Sequence, residues 1–280
     1  MAEPFQRLGA WPPASPVVLS VPHAGRDYPA PLRAALRVSL AAAASLEDRR
    51  VDAVVLSARG SETTVIARRA RAWIDLNRAE DERDPLADEG ALPGPPASAK
   101  VANGLGLIPR RGGKAGELWR RRWSDADVQA RIVADHRPYH AAVAEALAAA
   151  RARWGVAVLV DLHSMPPLTG QARGPRVVLG DRFGRAAGAR FVARAQAAMA
   201  AAGLSPALNS PYAGGHILDR HGRPADGIHA IQVELDRSLY LDRALDRPGA
   251  GLARTAAAVR QMLAALADEA LLGGVALAAE

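Results

Sequence analysis

The chain has 280 residues, 49% of them hydrophobic, with a formal charge of +7, no cysteine and only 4% aromatic residues. That is enough for one large α/β domain or two small ones with full cores, and it excludes a disulfide framework and a thiolate nucleophile, so any metal must be held by His, Asp or Glu. The arginines alternate with acids and have few aromatic neighbours, which speaks against a nucleic-acid surface and for attraction of a small acidic substrate.

Residues 1–15 read as a loose, Pro- and Ala-rich lead-in, with no apolar leader and no membrane partner expected, so the default location is cytoplasmic. Residues 16–22 form a buried-strand candidate that runs directly into His23-Ala24-Gly25-Arg26. Residues 31–56 read as mostly helical, with Ser45 as an N-cap and Asp48 in the first turn of a helix that also carries Glu47 and Asp52. Two short strands are expected at 62–66 and 72–76, the second ending in Asn77-Arg78. Residues 79–117 lack periodicity and are rich in Pro, Gly and charge; a stretch of that length reads as a long loop near the functional site. Residues 119–153 read as helix, in two pieces around Pro138.

The run Val156-Ala157-Val158-Leu159-Val160 then leads into Asp161-Leu162-His163-Ser164. Five unbroken apolar residues read as a strand buried on both faces, with Asp161 and His163 on one face at its carboxyl end. A further strand is expected at 176–180, a long Ala-rich helix at 183–202, a glycine loop at 212–216, a strand at 228–235 with Glu234 near its end, and a closing helix at 252–267. Strands alternating with helices predict a single α/β domain over 1–280, with a central, mostly parallel, mixed sheet between two helical layers.

In an open α/β sheet the chemistry lies beyond the carboxyl ends of the strands. His23, Asn77-Arg78, His163 and Glu234 all fall at such ends. Two imidazoles and a carboxylate can hold zinc or another divalent ion with one position open to water. A separate glutamate can move the water proton, and an arginine fork can grip a substrate carboxylate. Asp236 and Arg237 follow Glu234, so a structural ion pair competes with a catalytic role for it. His216, in the glycine loop, either touches substrate or closes the loop. His229 reads as structural. His136 and His140 are four apart but lack a neighbouring His-Glu-x-x-His pattern, so they read as helix surface or packing.

Five short motifs occur in a characteristic order: Val21-Pro22-His23-Ala24-Gly25, Ile74-Asp75-Leu76-Asn77-Arg78, Asp161-Leu162-His163-Ser164, Gly214-Gly215-His216-Ile217 and Gly227 to Leu235 with its Gln232-Val233-Glu234 core. In that order they resemble the N-formylglutamate amidohydrolase family over about residues 16–245. The family is similar in fold to zinc carboxypeptidases, aspartoacylase and succinylglutamate desuccinylase. The resemblance implies a three-layer αβα, zinc exopeptidase-like hydrolase. Such an enzyme would release an acyl group from a small acidic N-acyl amino acid, with N-formyl-L-glutamate, formate and histidine breakdown as the leading assignment. Other N-acyl amino acids, a carboxypeptidase-like substrate and a non-catalytic acidic-ligand binder are the alternatives.

Carried over by residue, the resemblance implies His23 and His163 as metal ligands, Glu234 as general base, and Asn77 with Arg78 as carboxylate binders. Arg68 and Arg71 are possible second contacts. The carboxypeptidase-like relatives have a glutamate three residues after the first histidine, where this chain has Arg26. The third ligand must therefore come from elsewhere: Asp48 is the first choice, with Asp52 or Glu47 as alternatives.

Overall fold

The computed structural model describes residues 3–94, 96, 98–113, 116–168 and 174–277. Seven strands form one mixed sheet: β1 (Phe5–Leu8), β2 (Val17–Val21), β3 (Thr63–Ala67), β4 (Ala157–Met165), β5 (Val177–Gly180), β6 (Pro206–Leu208) and β7 (Ile228–Asp236), in the order β1-β3-β2-β4-β7-β5-β6. The unbroken apolar runs take the middle of the sheet, and every residue of β2, β4 and β7 is buried. β4 pairs in parallel with both β2 and β7, whereas β5 runs antiparallel to β7. Helices lie on both sides, as the alternation of elements predicts. Among the described residues, no helix is long and apolar enough to cross a membrane.

The contacts fall into two compact units. The first comprises residues 1–6, 22–47 and 66–142. The second comprises 7–21, 48–65 and 143–280, and carries the sheet apart from the ends of β1 and β3.

The helices are α1 (Ala30–Ala35), α2 (Leu40–Ala43), α3 (Val51–Ala58), α4 (Ala99–Ala102), α5 (Asp125–Arg131), α6 (Arg137–Trp154), α7 (Ala189–Ala201), α8 (His216–His221) and α9 (Leu252–Leu277). Several depart from the sequence expectation. The helical stretch at 31–56 is broken into short pieces. Ser39, not Ser45, caps α2, and Ser45 donates instead to the Gly112 carbonyl. Arg50 adopts a left-handed conformation, φ 53°, so α3 starts only at Val51 and Asp48 lies ahead of it. Asp48 and Asp52 therefore do not share a helical face. Residues 72–76 form no strand. The backbone there turns on itself, with Trp73 N donating to Ala70 O and Asp75 N to Leu107 O. The helix expected at 183–202 begins only at Ala189, because Arg182 and Phe183 both have positive φ. Around Pro138 the chain is continuous: a π-turn at Ile132–His136 joins α5 to α6 and absorbs the hydrogen bond that proline cannot donate.

The first unit contains buried charge among its apolar residues. The Arg131 guanidinium lies 3.7 Å from the centroids of both Trp73 and Trp123. Burial lowers its pKa to about 10, partly opposed by Asp127, Asp135 and Asp88. The long segment after Arg78 is pinned by ion pairs, Arg83 with Asp88 and Arg110 with Asp84 at 2.9 Å.

In the second unit His229, on β7, stacks on Phe191 at 4.3 Å, and its Nδ1 accepts the Gly188 N–H. Burial, with Arg190 nearby, lowers its pKa from an ordinary 6.5 to about 4. The unfolded chain therefore takes up a proton that the folded chain refuses, so stability should fall as pH drops from about 6.5 to about 4. His229→Asn keeps an acceptor near the Nδ1 position and removes the titration. Melting temperatures of the variant measured through that window should decline less steeply than those of the wild type, and equal slopes would contradict the assignment.

Candidate active site

In the second unit the strand register builds a polar patch on one face of the sheet. Ser20, Asp161 and Gln232 are register partners across β2, β4 and β7, and two residues further on His163 partners Glu234. Parallel partners point the same way, so these five side chains share a face. Hydrogen bonds link them as a triplet, Ser20–Asp161–His163, and a pair, Gln232–Glu234. Ser20 Oγ donates to Asp161 Oδ1 at 2.7 Å, His163 Nε2 lies 2.7 Å from Asp161 Oδ2, and Gln232 Nε2 donates to Glu234 Oε1 at 3.1 Å.

The other nitrogen of His163, Nδ1, faces Asp48 Oδ2 at 3.0 Å. Both residues are buried. Burial pushes the His163 pKa down, but the Asp161 charge and hydrogen bond, the Asp48 hydrogen bond and the Glu234 charge together hold it well above the ordinary imidazole value. The surrounding carboxylates thus favour positive charge on the His163 ring. Nδ1 and Oδ2 are hard-to-borderline donors, and their 3.0 Å separation is within a few tenths of an ångström of the ~3.4 Å expected for tetrahedral ligands ~2.1 Å from zinc. With Asp161 accepting from Nε2–H, the ring is oriented as in carboxylate–histidine–metal arrangements. The pair fits a divalent ion.

The expected carboxylate alternatives are placed differently. Glu47 accepts a hydrogen bond from the Tyr28 hydroxyl. Asp52 sits in the first turn of α3. Arg237, the competing partner for Glu234, instead donates from Nε to Ser164 Oγ at 3.1 Å and reaches Asp48 Oδ1 at 3.5 Å. This cation beside Asp48 was weighed in the sequence only as an ion-pair partner. His216 is the first residue of α8, which packs on β7 and β4. Gly180 permits the approach of its loop: a Cβ there would lie 2.7 Å from the Ala213 carbonyl carbon.

In the first unit the organiser is Asp75. It is fully buried and was quoted in a motif without being given a role. His23 Nε2 lies 2.7 Å from its Oδ1, Arg71 Nε donates to its Oδ2 at 2.8 Å, Arg78 Nη2 is 3.9 Å away, and the Asn77 N–H donates to Oδ1 at 2.9 Å. Burial raises the pKa of Asp75, but Arg71, His23 and Arg78 bring it well below the usual carboxylate range. Four of the expected residues, His23, Arg71, Asn77 and Arg78, are therefore gathered by one carboxylate. Gly25 makes this possible, because a Cβ there would lie 2.0 Å from the Arg69 carbonyl oxygen; the turn after His23 can press onto 68–70 only as glycine. Arg68 is exposed. The long segment reaches the same cluster, with Leu105 O accepting from Arg78 Nε at 2.7 Å. Asp75-Leu76-Asn77 repeats the pattern of Asp161-Leu162-His163, acid then leucine then functional polar residue, and that repetition is the signal that could have singled out Asp75.

The model of the N-formylglutamate amidohydrolase family matches residues 15–241. The chain belongs to this family. It is 31% identical to an N-formylglutamate deformylase of Pseudomonas aeruginosa over 268 residues, covering 92% of this chain and 94% of that one. It is 32% identical over 235 residues to a Pseudomonas putida protein of the same name, covering 81% and 82%. A crystal structure of N-formylglutamate amidohydrolase from Ralstonia eutropha superposes with a TM-score of 0.82 at 30% identity, covering 99% of both chains. The protein is an amidohydrolase, and the family match takes in every residue named above, from Ser20 to Arg237.

Proposed function

We propose that this amidohydrolase hydrolyses N-formyl-L-glutamate to formate and L-glutamate, with a divalent ion held in the second unit by Asp48 and His163, zinc being the best match to that donor set, and with His23 as the further ligand that the family motif implies. The observation that carries the reading is the buried Asp48–His163–Asp161 row with Glu234 beside it in strand register. The names of the Pseudomonas relatives supply the substrate. Bound there, a divalent ion supplies Lewis acidity and brings the pKa of a coordinated water toward neutrality.

Glu234 takes the proton of the attacking water and returns it to the leaving amine. Asp161 beside Nε2 of His163 favours the tautomer whose Nδ1 would be free to hold the ion, and Asp75 beside Nε2 of His23 would act in the same way. Arg78 and Asn77 bind a substrate carboxylate, with Arg71 as a second cation. His216 is assigned to the substrate by the family motif that contains it. Arg237, next to Asp48 and Ser164, adds positive charge where an acidic substrate and a developing oxyanion require it. The basic net charge favours capture of such a substrate, and no nucleic acid or membrane partner is invoked.

The purified protein should contain one equivalent of divalent metal and lose formate release on chelation, with recovery on adding metal back. His163→Ala should fold without stoichiometric metal. A folded wild type that is fully active after exhaustive chelation would overturn the metal assignment.

A further inference from the structure

Asn77 and Arg78 lie on backbone that belongs to neither helix nor strand, so something other than secondary structure must fix them. Two buried histidines do so. His136 ends the π-turn, His140 lies one turn into α6, and their ring centroids are 4.4 Å apart. His136 Nε2 is 2.8 Å from Arg78 O, and His140 Nε2 is 3.0 Å from Leu76 O. A carbonyl oxygen only accepts, so both Nε2 atoms carry the proton. The two bonds bracket Asn77, whose own N–H is held by Asp75 Oδ1 at 2.9 Å. Arg78 is then fixed from its backbone outward: its N–H donates to Asp75 O at 3.2 Å and its Nη1 to Asn77 O at 2.6 Å.

We infer that His136 and His140 are positioning residues for substrate binding, a paired imidazole clamp that sets the backbone from which Asn77 and Arg78 reach the substrate carboxylate. The inference rests on the carboxylate role proposed above for Arg78. The wide π-turn has a purpose on this account: it lets the helix pass Pro138 while presenting both rings to one short stretch of backbone. An apolar residue at either position would fill the space but leave a buried carbonyl without its donor. A displaced fork grips a carboxylate poorly, so the cost should appear in binding rather than in the chemical step.

The test compares His136→Gln, His136→Asn and His136→Leu with wild type and with Arg78→Ala, each as folded protein. The readouts are kcat and KM for N-formyl-L-glutamate and Ki for L-glutamate. Loss of one buried hydrogen bond should raise KM and Ki about tenfold in His136→Leu, with kcat far less affected. His136→Gln, whose amide reaches the Nε2 position, should recover most of the loss, whereas the shorter His136→Asn should not. Should the leucine variant fail to fold, the glutamine–asparagine comparison carries the test. If Arg78→Ala raises KM and the His136 variants leave it unchanged, the clamp is wrong and the carboxylate reading stands. If Arg78→Ala also leaves KM and Ki unchanged, the carboxylate reading fails and the clamp's role in binding falls with it. A rise in His136→Leu that glutamine does not reverse would overturn the hydrogen-bond origin.

Discussion

Glu234→Gln should lower kcat about a thousandfold while leaving metal content and melting temperature close to wild type. Glu234 stands next to His163 in the β4–β7 register and accepts a hydrogen bond from Gln232 Nε2 at 3.1 Å. A glutamine is isosteric and its carbonyl can still accept that bond, so the fold has little reason to respond. What is lost is the carboxylate that takes the water proton. Removing that charge also removes one of the influences that raise the His163 pKa, leaving those of Asp161 and Asp48 in place. Substantial retained activity in a metal-loaded Glu234→Gln protein would take Glu234 out of the base role and turn attention to the carboxylates around His163.

The second large effect should come from a residue that needs no contact with the substrate. Asp75→Asn is expected to cost about 3–5 kcal/mol of stability, the usual consequence of stripping the counter-charge from a buried ion pair. Arg71 and Arg78 would lose the carboxylate they share, and His23 the acceptor that fixes its ring. The melting temperature should fall on the order of 10 °C. The folded pKa of Asp75 is depressed, so its contribution is fully present above the ordinary carboxylate value of 3.8 and is lost only as pH falls toward the folded value. The deficit of the variant should therefore be undiminished from pH 8 to pH 5. Activity should fall with stability, and rescue of folding by substrate or product should be weak because Arg78 is displaced. A variant as stable as wild type would mean that the two arginines are solvated well enough not to need Asp75.

How far the sequence could be read follows from the kind of signal each element carried. The buried strands were plain, because unbroken apolar runs such as 156–160 have few other uses. The family assignment was plain too, since five short motifs in order constrain a chain more than any one of them does. The short edge strands β1 and β6 were missed because three or four half-exposed residues carry no period. Residues 72–76 looked like a strand because Trp73, Ile74 and Leu76 are apolar. Trp73 lies against the buried Arg131, Ile74 and Leu76 are buried in irregular backbone, and one-dimensional periodicity cannot tell that case from a strand. Asp48 was chosen on the family resemblance, and only the helix assigned to it was misplaced; the left-handed Arg50 that delays α3 gives no mark in composition. His136 and His140 were set aside because the pattern sought was a metal motif, whereas their bonds run to backbone carbonyls about sixty residues away in sequence.

The most direct test is steady-state formate release by the purified, metal-loaded protein. The panel should contain N-formyl-L-glutamate, N-formyl-L-aspartate, N-formyl-L-glutamine and N-acetyl-L-glutamate. The account predicts that N-formyl-L-glutamate has the highest kcat/KM, that loss of the side-chain charge in N-formyl-L-glutamine lowers it by at least about tenfold, and that Arg78→Ala narrows that gap. Absence of formate release from N-formyl-L-glutamate by folded, metal-loaded protein, or equal turnover of the charged and uncharged substrates, would contradict it.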